Sequence, residues 1–415
     1  MKKRQFWQFP WGFKESLLIV IGVLIMGYAL QLSLGSFNYY LLVSPINIIL
    51  GGTLILCILL LQFTRKSSFY RWLSGSTLAS CLIGVLLVLT LLMGLTPQTS
   101  SPYSIPHNLA SQLGLDRMTS SWPFVMTYLF LLLSLGTLIA RRLRKRVLQD
   151  WAFHLTHIGL WLFLFFAGFG AADITRYIMY VQEGQVEWRV YDAQGEMLEL
   201  PLAIQLNDFI MEEYPPKLAI IDRKTGAIQP ENNPDLFQLD SLRNRGKLWR
   251  YDISVEKYIH EAVRNSDSTY AQVFMPGASP AALVSLTNQD TFTQGWVSGG
   301  NRAQLYMSLP IDSTYALVMT QPEPKSFISK IDLFTEQGKE IAYELKVNSP
   351  LRVGDWSIYQ YGYDNEAGKM STYSSFELVY DPWLPWVIGS IYILGIGCVV
   401  MLFQGYNKKK KGTKK

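Results

Sequence analysis

The chain has 415 residues, of which 49% are hydrophobic, 13% aromatic and only 17% charged. That balance excludes a disordered chain and a purely soluble one. The formal net charge of +5 averages two unlike regions: apolar runs fill the first 171 residues and recur near the C-terminus, while 172–383 reads as soluble polypeptide.

Three cysteines, Cys57, Cys81 and Cys398, all fall inside apolar runs. The soluble stretch therefore has no disulfide, thiol redox pair or thiolate metal site, and no CxxCH haem-attachment motif occurs. Six stretches are long enough to cross a ~30 Å hydrocarbon core as helices: 16–35, 44–64, 76–95, 122–140, 151–171 and 384–404. None carries Asp, Glu, Lys or Arg in its core. The first follows Lys2, Lys3 and Arg4, but its run is long for a signal peptide and no A-x-A-like cleavage site follows, so it reads as an anchor.

Basic residues set the expected orientation. They cluster at the N-terminus, at 65–71, at 141–146 and in the tail, 18 in all and all on one side of a six-span chain, whereas the opposite short loops hold only Arg117. Both termini are then cytoplasmic and 172–383 lies outside. The expected organisation is an N-terminal extension with two spans (1–75), a three-helix region (76–171), an extracytoplasmic β-rich domain (172–383), a last span (384–404) and a basic cytoplasmic tail (405–415).

Region 172–383 carries 18 basic and 29 acidic residues, a net charge near −11. It is a poor match for nucleic acid; the charge reads first as solubility, with a surface for basic partners as the alternative. Strand-like alternation runs through Val186, Trp188 and Val190, through Trp249, Tyr251, Ile253 and Val255, and through Trp356 and Ile358. Turn signals stand at Asp192–Gly195, Pro276–Gly277, Gly299–Gly300 and Gln337–Gly338. The fold class expected is a membrane protein of six transmembrane helices with a large mainly-β domain inserted between helices 5 and 6. No G-x-G-x-x-G, Walker loop, G-x-S-x-G or H-E-x-x-H is present, so hydrolase and nucleotide chemistry has no support.

There are four histidines: His107, His154, His157 and His260. His154 and His157 lie in the fifth span, three residues apart and so on one helical face, which continues through Trp161, Phe165 and Gly168. An imidazole in the membrane needs a polar partner or a metal, and it is an axial ligand of haem iron. On this reading a flat aromatic strip ending in a small residue admits a porphyrin edge, and His154 sits nearer the hydrated, basic side. The alternative is a hydrogen bond between helices. His107 and His260 read as an exposed loop residue and a surface hydrogen-bonding residue.

The segment Leu155-Thr156-His157-Ile158-Gly159-Leu160, with Gly168 and Gly170 after it, resembles the histidine-bearing span of ResB-type cytochrome c biogenesis proteins. Further segments are similar to that family in the same order. They are Gly94–Gln98, Leu113-Gly114, Ser121–Phe124, Arg141-Arg142, Pro324–Ser329, Val347–Leu351, Ile358-Tyr359-Gln360 and Phe376–Pro382. Tyr359, Gln360 and Asn348 read as fold-defining, with Asn348 and Pro350 suiting a turn into a strand.

The resemblance implies a subunit of the System II machinery in the bacterial cytoplasmic membrane. Such a subunit binds and translocates haem b and supports its attachment to CxxCH apocytochromes c outside, together with a CcsA/ResC-type haem-handling partner. It assigns the axial-ligand role to His157, with His154 as a second candidate for cofactor binding, and no catalytic residue of its own. It makes the chain a non-catalytic or co-catalytic part of a holocytochrome c synthase. Two features depart from the family: the extra spans 16–35 and 44–64, and His154. A b-type electron carrier and a haem-free interaction scaffold are the readings from other classes.

Overall fold

A computed structural model describes residues 7–99, 108–143, 151–239, 244–265, 269–275, 277–289 and 291–412. The chain divides into two compact units, Met1–Thr175 with Tyr380–Lys415, and Arg176–Val379.

The first unit is helical. Its elements are α1 (Phe13–Leu34), α2 (Ile46–Leu61), α3 (Ser68–Leu73), α4 (Ser76–Leu95), α5 (Leu109–Gln112), α6 (Trp122–Leu143), α7 (Trp151–Gly170) and α8 (Leu384–Gly412). Among the described residues six helical segments, those of α1, α2, α4, α6, α7 and α8, are long and apolar enough to cross a membrane, as a multi-pass membrane protein requires. A helix satisfies its own backbone groups, the condition for apolar runs of this length to leave water. The β region lies between the fifth and sixth of these helices.

Helix α6 lies at the centre of this unit, packed by α1, α2, α4 and α7. Close contacts fall where small residues allow them. A Cβ on Gly27 of α1 would stand 2.6 Å from the Pro123 backbone of α6. Some polar groups inside the bundle are partnered across helices: Trp72 Nε1 donates to Ser16 Oγ (2.9 Å) and Ser134 Oγ to the Leu73 carbonyl (2.7 Å). Thr96 Oγ1 and Gln98 Nε2 both donate to the Leu115 carbonyl (2.9 Å each), tying the exit of α4 to the approach to α6.

The second unit holds seventeen strands among the described residues. The strands used below are β1 (Thr175–Gln182), β2 (Val186–Tyr191), β3 (Met197–Glu213), β6 (Arg245–Leu248), β7 (Tyr251–Arg264), β13 (Pro324–Thr335), β14 (Glu340–Lys346), β15 (Leu351–Val353), β16 (Trp356–Tyr363) and β17 (Tyr373–Tyr380). Eight strands form one sheet in the order β14-β13-β3-β2-β1-β17-β16-β15, and sheets of five and four strands complete the unit. The large sheet encloses Met179, Ile204, Leu206, Leu333, Ile358 and Phe376. The other two share a core of Leu218, Ile220, Val284, Leu286 and Leu317.

Turn chemistry follows the sequence at Asp192–Gly195, where Asp192 Oδ1 accepts from the amides of Gln194 and Glu196 and Gly195 takes φ 85°. One expected strand residue does not hold. Trp249 leaves the alternating run: it turns at φ 54° between β6 and β7 and makes an edge contact with Tyr315. Burial at 251, 253 and 255 then starts one step later, on β7. On β2 the alternation is also partial, because Val190 is buried while Val186 and Trp188 are exposed.

Candidate functional site

Helix α7 is assembled on two sides. Toward α8 it runs as a seam of glycines. A Cβ on Gly159 would stand 2.5 Å from the Leu394 backbone nitrogen, and one on Gly397 2.5 Å from that of Thr156; Gly170 lies against the Trp383 ring. Lipid offers no hydrophobic drive between helices, so contact of this kind rests on van der Waals packing. Gly159→Val is expected to lower stability by about 1–3 kcal/mol through overpacking. Gly84→Val in α4, where nothing lies within 4 Å, should leave it nearly unchanged. Thermal melting of the two purified variants checks the contrast; equal losses would mean that the seam does not carry α7.

Toward α6 and α2 the helix presents Trp161, Phe165 and Gly168, as the spacing predicts, but this strip is not open. Trp161 Nε1 donates to the Leu132 carbonyl of α6 (2.9 Å). The Phe165 ring fills the space over Gly51 of α2, and the Tyr128 ring of α6 covers Gly168. Tyr128 also donates its hydroxyl to the Leu164 carbonyl. The expectation that a porphyrin edge slides along this strip is therefore corrected: α6 and α2 pack directly against it, with the Tyr128 ring over Gly168.

The two histidines have different surroundings. His154, expected on the more hydrated side, is the more enclosed by protein, with 5% of its surface exposed and no hydrogen-bond partner on Nδ1 among the described residues. Ala152 and Thr156 beside it are buried too, so the first turns of α7 are packed within the chain.

His157 is half-buried. Its Nδ1 stands 3.0 Å from the Phe153 carbonyl oxygen and 3.1 Å from Thr156 Oγ1. A carbonyl can only accept, so Nδ1 carries a proton in this contact, and in the neutral form of the ring the lone pair is on Nε2. A histidine held in this way is prepared for a metal, because the second-shell bond sets both tautomer and ring direction. The donor set therefore fits one axial ligand for haem iron, through His157 Nε2.

The His157 ring is also one layer of a stack that the sequence did not disclose. Phe153 lies over it at 3.8 Å between centroids and 27° between planes, and the Arg142 guanidinium from the last turn of α6 lies over Phe153 at 4.0 Å.

A second unforeseen feature closes the far end of α7. Asp173 Oδ1 accepts from the Ser44 amide (2.7 Å), and Oδ2 from Asn47 Nδ2 (2.8 Å) and Trp383 Nε1 (2.6 Å). Asn47, fully buried, also donates to the Phe169 carbonyl (3.0 Å). One carboxylate thus joins the start of α2, the end of α7 and the start of α8. The signal for it was an asparagine inside an apolar run, a position where a polar side chain needs a partner.

His260 stands apart from this site. His260 is exposed, with its Nδ1 3.4 Å from the Tyr258 hydroxyl, and His107 lies outside the described residues. Among the described residues no group of three His, Cys, Asp or Glu side chains is placed to hold a metal ion.

In the β unit the motif segments converge. Ser329 on β13, fully buried, donates to Gln360 Oε1 on β16 (2.6 Å) and lies 2.9 Å from Ser374 Oγ on β17. Phe327 and Phe209 stack on Tyr363. Asn348 takes φ 62° in the turn from β14 to β15, a conformation that asparagine tolerates better than most residues. These contacts join β3, β13, β16 and β17 within the large sheet.

Residues 281–374 match the model of the ResB-like family. The matched span runs over Ser329, Asn348, Gln360 and Ser374 and supports a role in cytochrome c biogenesis. A search of curated proteins finds no match.

Proposed function

We propose that this chain, ResB-like over residues 281–374, is a subunit of the System II cytochrome c synthesis machinery in a bacterial cytoplasmic membrane. It works with a CcsA/ResC-type partner. Haem b is its cargo, carried without covalent attachment to the CxxCH apocytochromes it will join. The observation that carries the reading is the family match, and the His157 geometry agrees with it.

In this reading His157 Nε2 binds the haem iron, and the Phe153 carbonyl fixes the imidazole by holding the proton on Nδ1. The glycine seam with α8 and the Asp173 junction hold α7 in place. The 18 basic residues keep both termini cytoplasmic. That leaves the acidic β domain outside, where its net charge near −11 suits a basic apocytochrome. The chain has no tryptophan-rich WGxxWxWD-like segment, so the partner supplies that part of the haem-handling surface.

The test is to co-purify the full chain with its CcsA/ResC-type partner, record the haem spectrum, and stain cells for covalent c-type haem with either protein omitted. The expected result is haem in the complex and covalent cytochrome only when both are present. Covalent cytochrome formed without this chain, or a haem-free complex, would overturn the proposal.

A further inference from the structure

Arg142 stands in the last turn of α6, and an arginine at the basic end of a span is ordinarily explained as a topology signal. Its observed position asks for more. The guanidinium is folded back over Phe153 at 4.0 Å, and Phe153 lies over His157 at 3.8 Å. Arg142 is exposed and has no acidic partner among the described residues. The chain therefore holds a cation two layers from the histidine, roughly along the normal to the imidazole ring, with no acidic group on its hydrogen-bonding edges among the described residues.

Coordination chemistry gives that direction a meaning. An axial imidazole stands perpendicular to the porphyrin, so the normal to the imidazole lies parallel to the porphyrin plane. With His157 as axial ligand, a group displaced along that normal would lie above the macrocycle face, out toward its rim. The rim of haem b is apolar except at one edge, which carries two propionate carboxylates. A guanidinium matches a carboxylate with two parallel donors, and the intervening phenyl ring both supports the cation on its face and offers apolar surface to the macrocycle.

We propose that Arg142 is the carboxylate-recognition residue of the haem site. It binds a propionate of the haem whose iron His157 ligates, and so orients the cargo with its propionate edge toward the C-terminal end of α6. The assignment rests on the haem reading above and adds to it the group that distinguishes the acidic edge from the rest of the molecule.

The probe is haem b against its dimethyl ester, which keeps the iron and macrocycle but has no carboxylates. Full-length protein in lipid nanodiscs is titrated with each and followed at the Soret band. The wild type is expected to bind haem about tenfold more tightly than the ester, the size of one charge-assisted contact. Arg142→Gln should bring the two affinities together with the Soret position of the haem form unchanged, and Arg142→Glu should invert the order. Arg142→Lys, which keeps the charge, should retain a preference for the free acid and separates lost recognition from lost folding. Equal binding of both probes by the wild type, or an undiminished preference in Arg142→Gln, overturns the assignment while leaving His157 as ligand. A wild type with no Soret band that depends on His157 overturns the haem reading, and Arg142 with it.

Discussion

His157→Ala is expected to empty the haem site of the purified complex and to halt cytochrome c assembly. Partners of metal-binding histidines already change affinity by about 10–100-fold when removed, so with His157 as the proposed ligand its loss should exceed about 100-fold. The Phe153 carbonyl stays in place, since it is backbone, and the vacated volume is that of an imidazole ring. Added imidazole should therefore restore part of the haem content and part of the assembly. His154→Ala is the comparison: that ring is enclosed by protein, with no partner on Nδ1 among the described residues, and its loss should leave more haem than the loss of His157. Normal haem content and normal cytochrome assembly in His157→Ala would remove the ligand assignment and leave a packing residue.

The second large effect is expected where three helices meet at Asp173. Asp173→Ala abandons three donors at once: the Ser44 amide, Asn47 Nδ2 and Trp383 Nε1. Hydrogen bonds to a charged group contribute about 1.5–3 kcal/mol each, and they share one acceptor, so a loss of about 3 kcal/mol or more is expected rather than the full sum. Asn47→Leu, similar in volume, leaves the Phe169 carbonyl and the carboxylate each short of a donor and should cost about 1–3 kcal/mol. Because the two side chains bond directly, the double variant should fall short of additivity by about 0.5–3 kcal/mol. Unfolding of the four proteins followed by tryptophan fluorescence measures it. Strict additivity would mean that the junction does not act as one unit and that α2 is docked by apolar contact alone.

Some of this architecture is readable without coordinates, and the physics says which part. Span length and charge-free cores are local properties, so the helices from α1 to α8 that can cross a membrane follow from hydropathy. The β domain announces itself through alternation and turn residues, and Asn348 through its place before Pro350. His157 stands out because an imidazole in an apolar run is unusual.

What escapes the one-dimensional reading is what a second element does to a face. The strip of Trp161, Phe165 and Gly168 looks vacant in sequence because Tyr128 and Leu132 arrive from another helix. His154 looks solvated because the packing around the first turns of α7 cannot be read from its own residues. Trp249 fits an alternating pattern until a left-handed turn removes it from the strand. The Arg142–Phe153–His157 stack joins residues from two helices, and periodicity within either one carries no trace of it.

The β unit is threaded into the membrane chain in a particular way. Its first and last strands, β1 and β17, are neighbours in the eight-stranded sheet. The Glu183 amide donates to the Thr372 carbonyl (2.8 Å) at one end of the pair, and Arg176 meets Glu377 (2.8 Å) at the other. Entry and exit therefore share one doorway. A cassette with its ends clasped by its own sheet can be lengthened, trimmed or exchanged at distant loops without pulling on the chain that hosts it. Change in the domain's loops is thereby uncoupled from change in the helices that carry it.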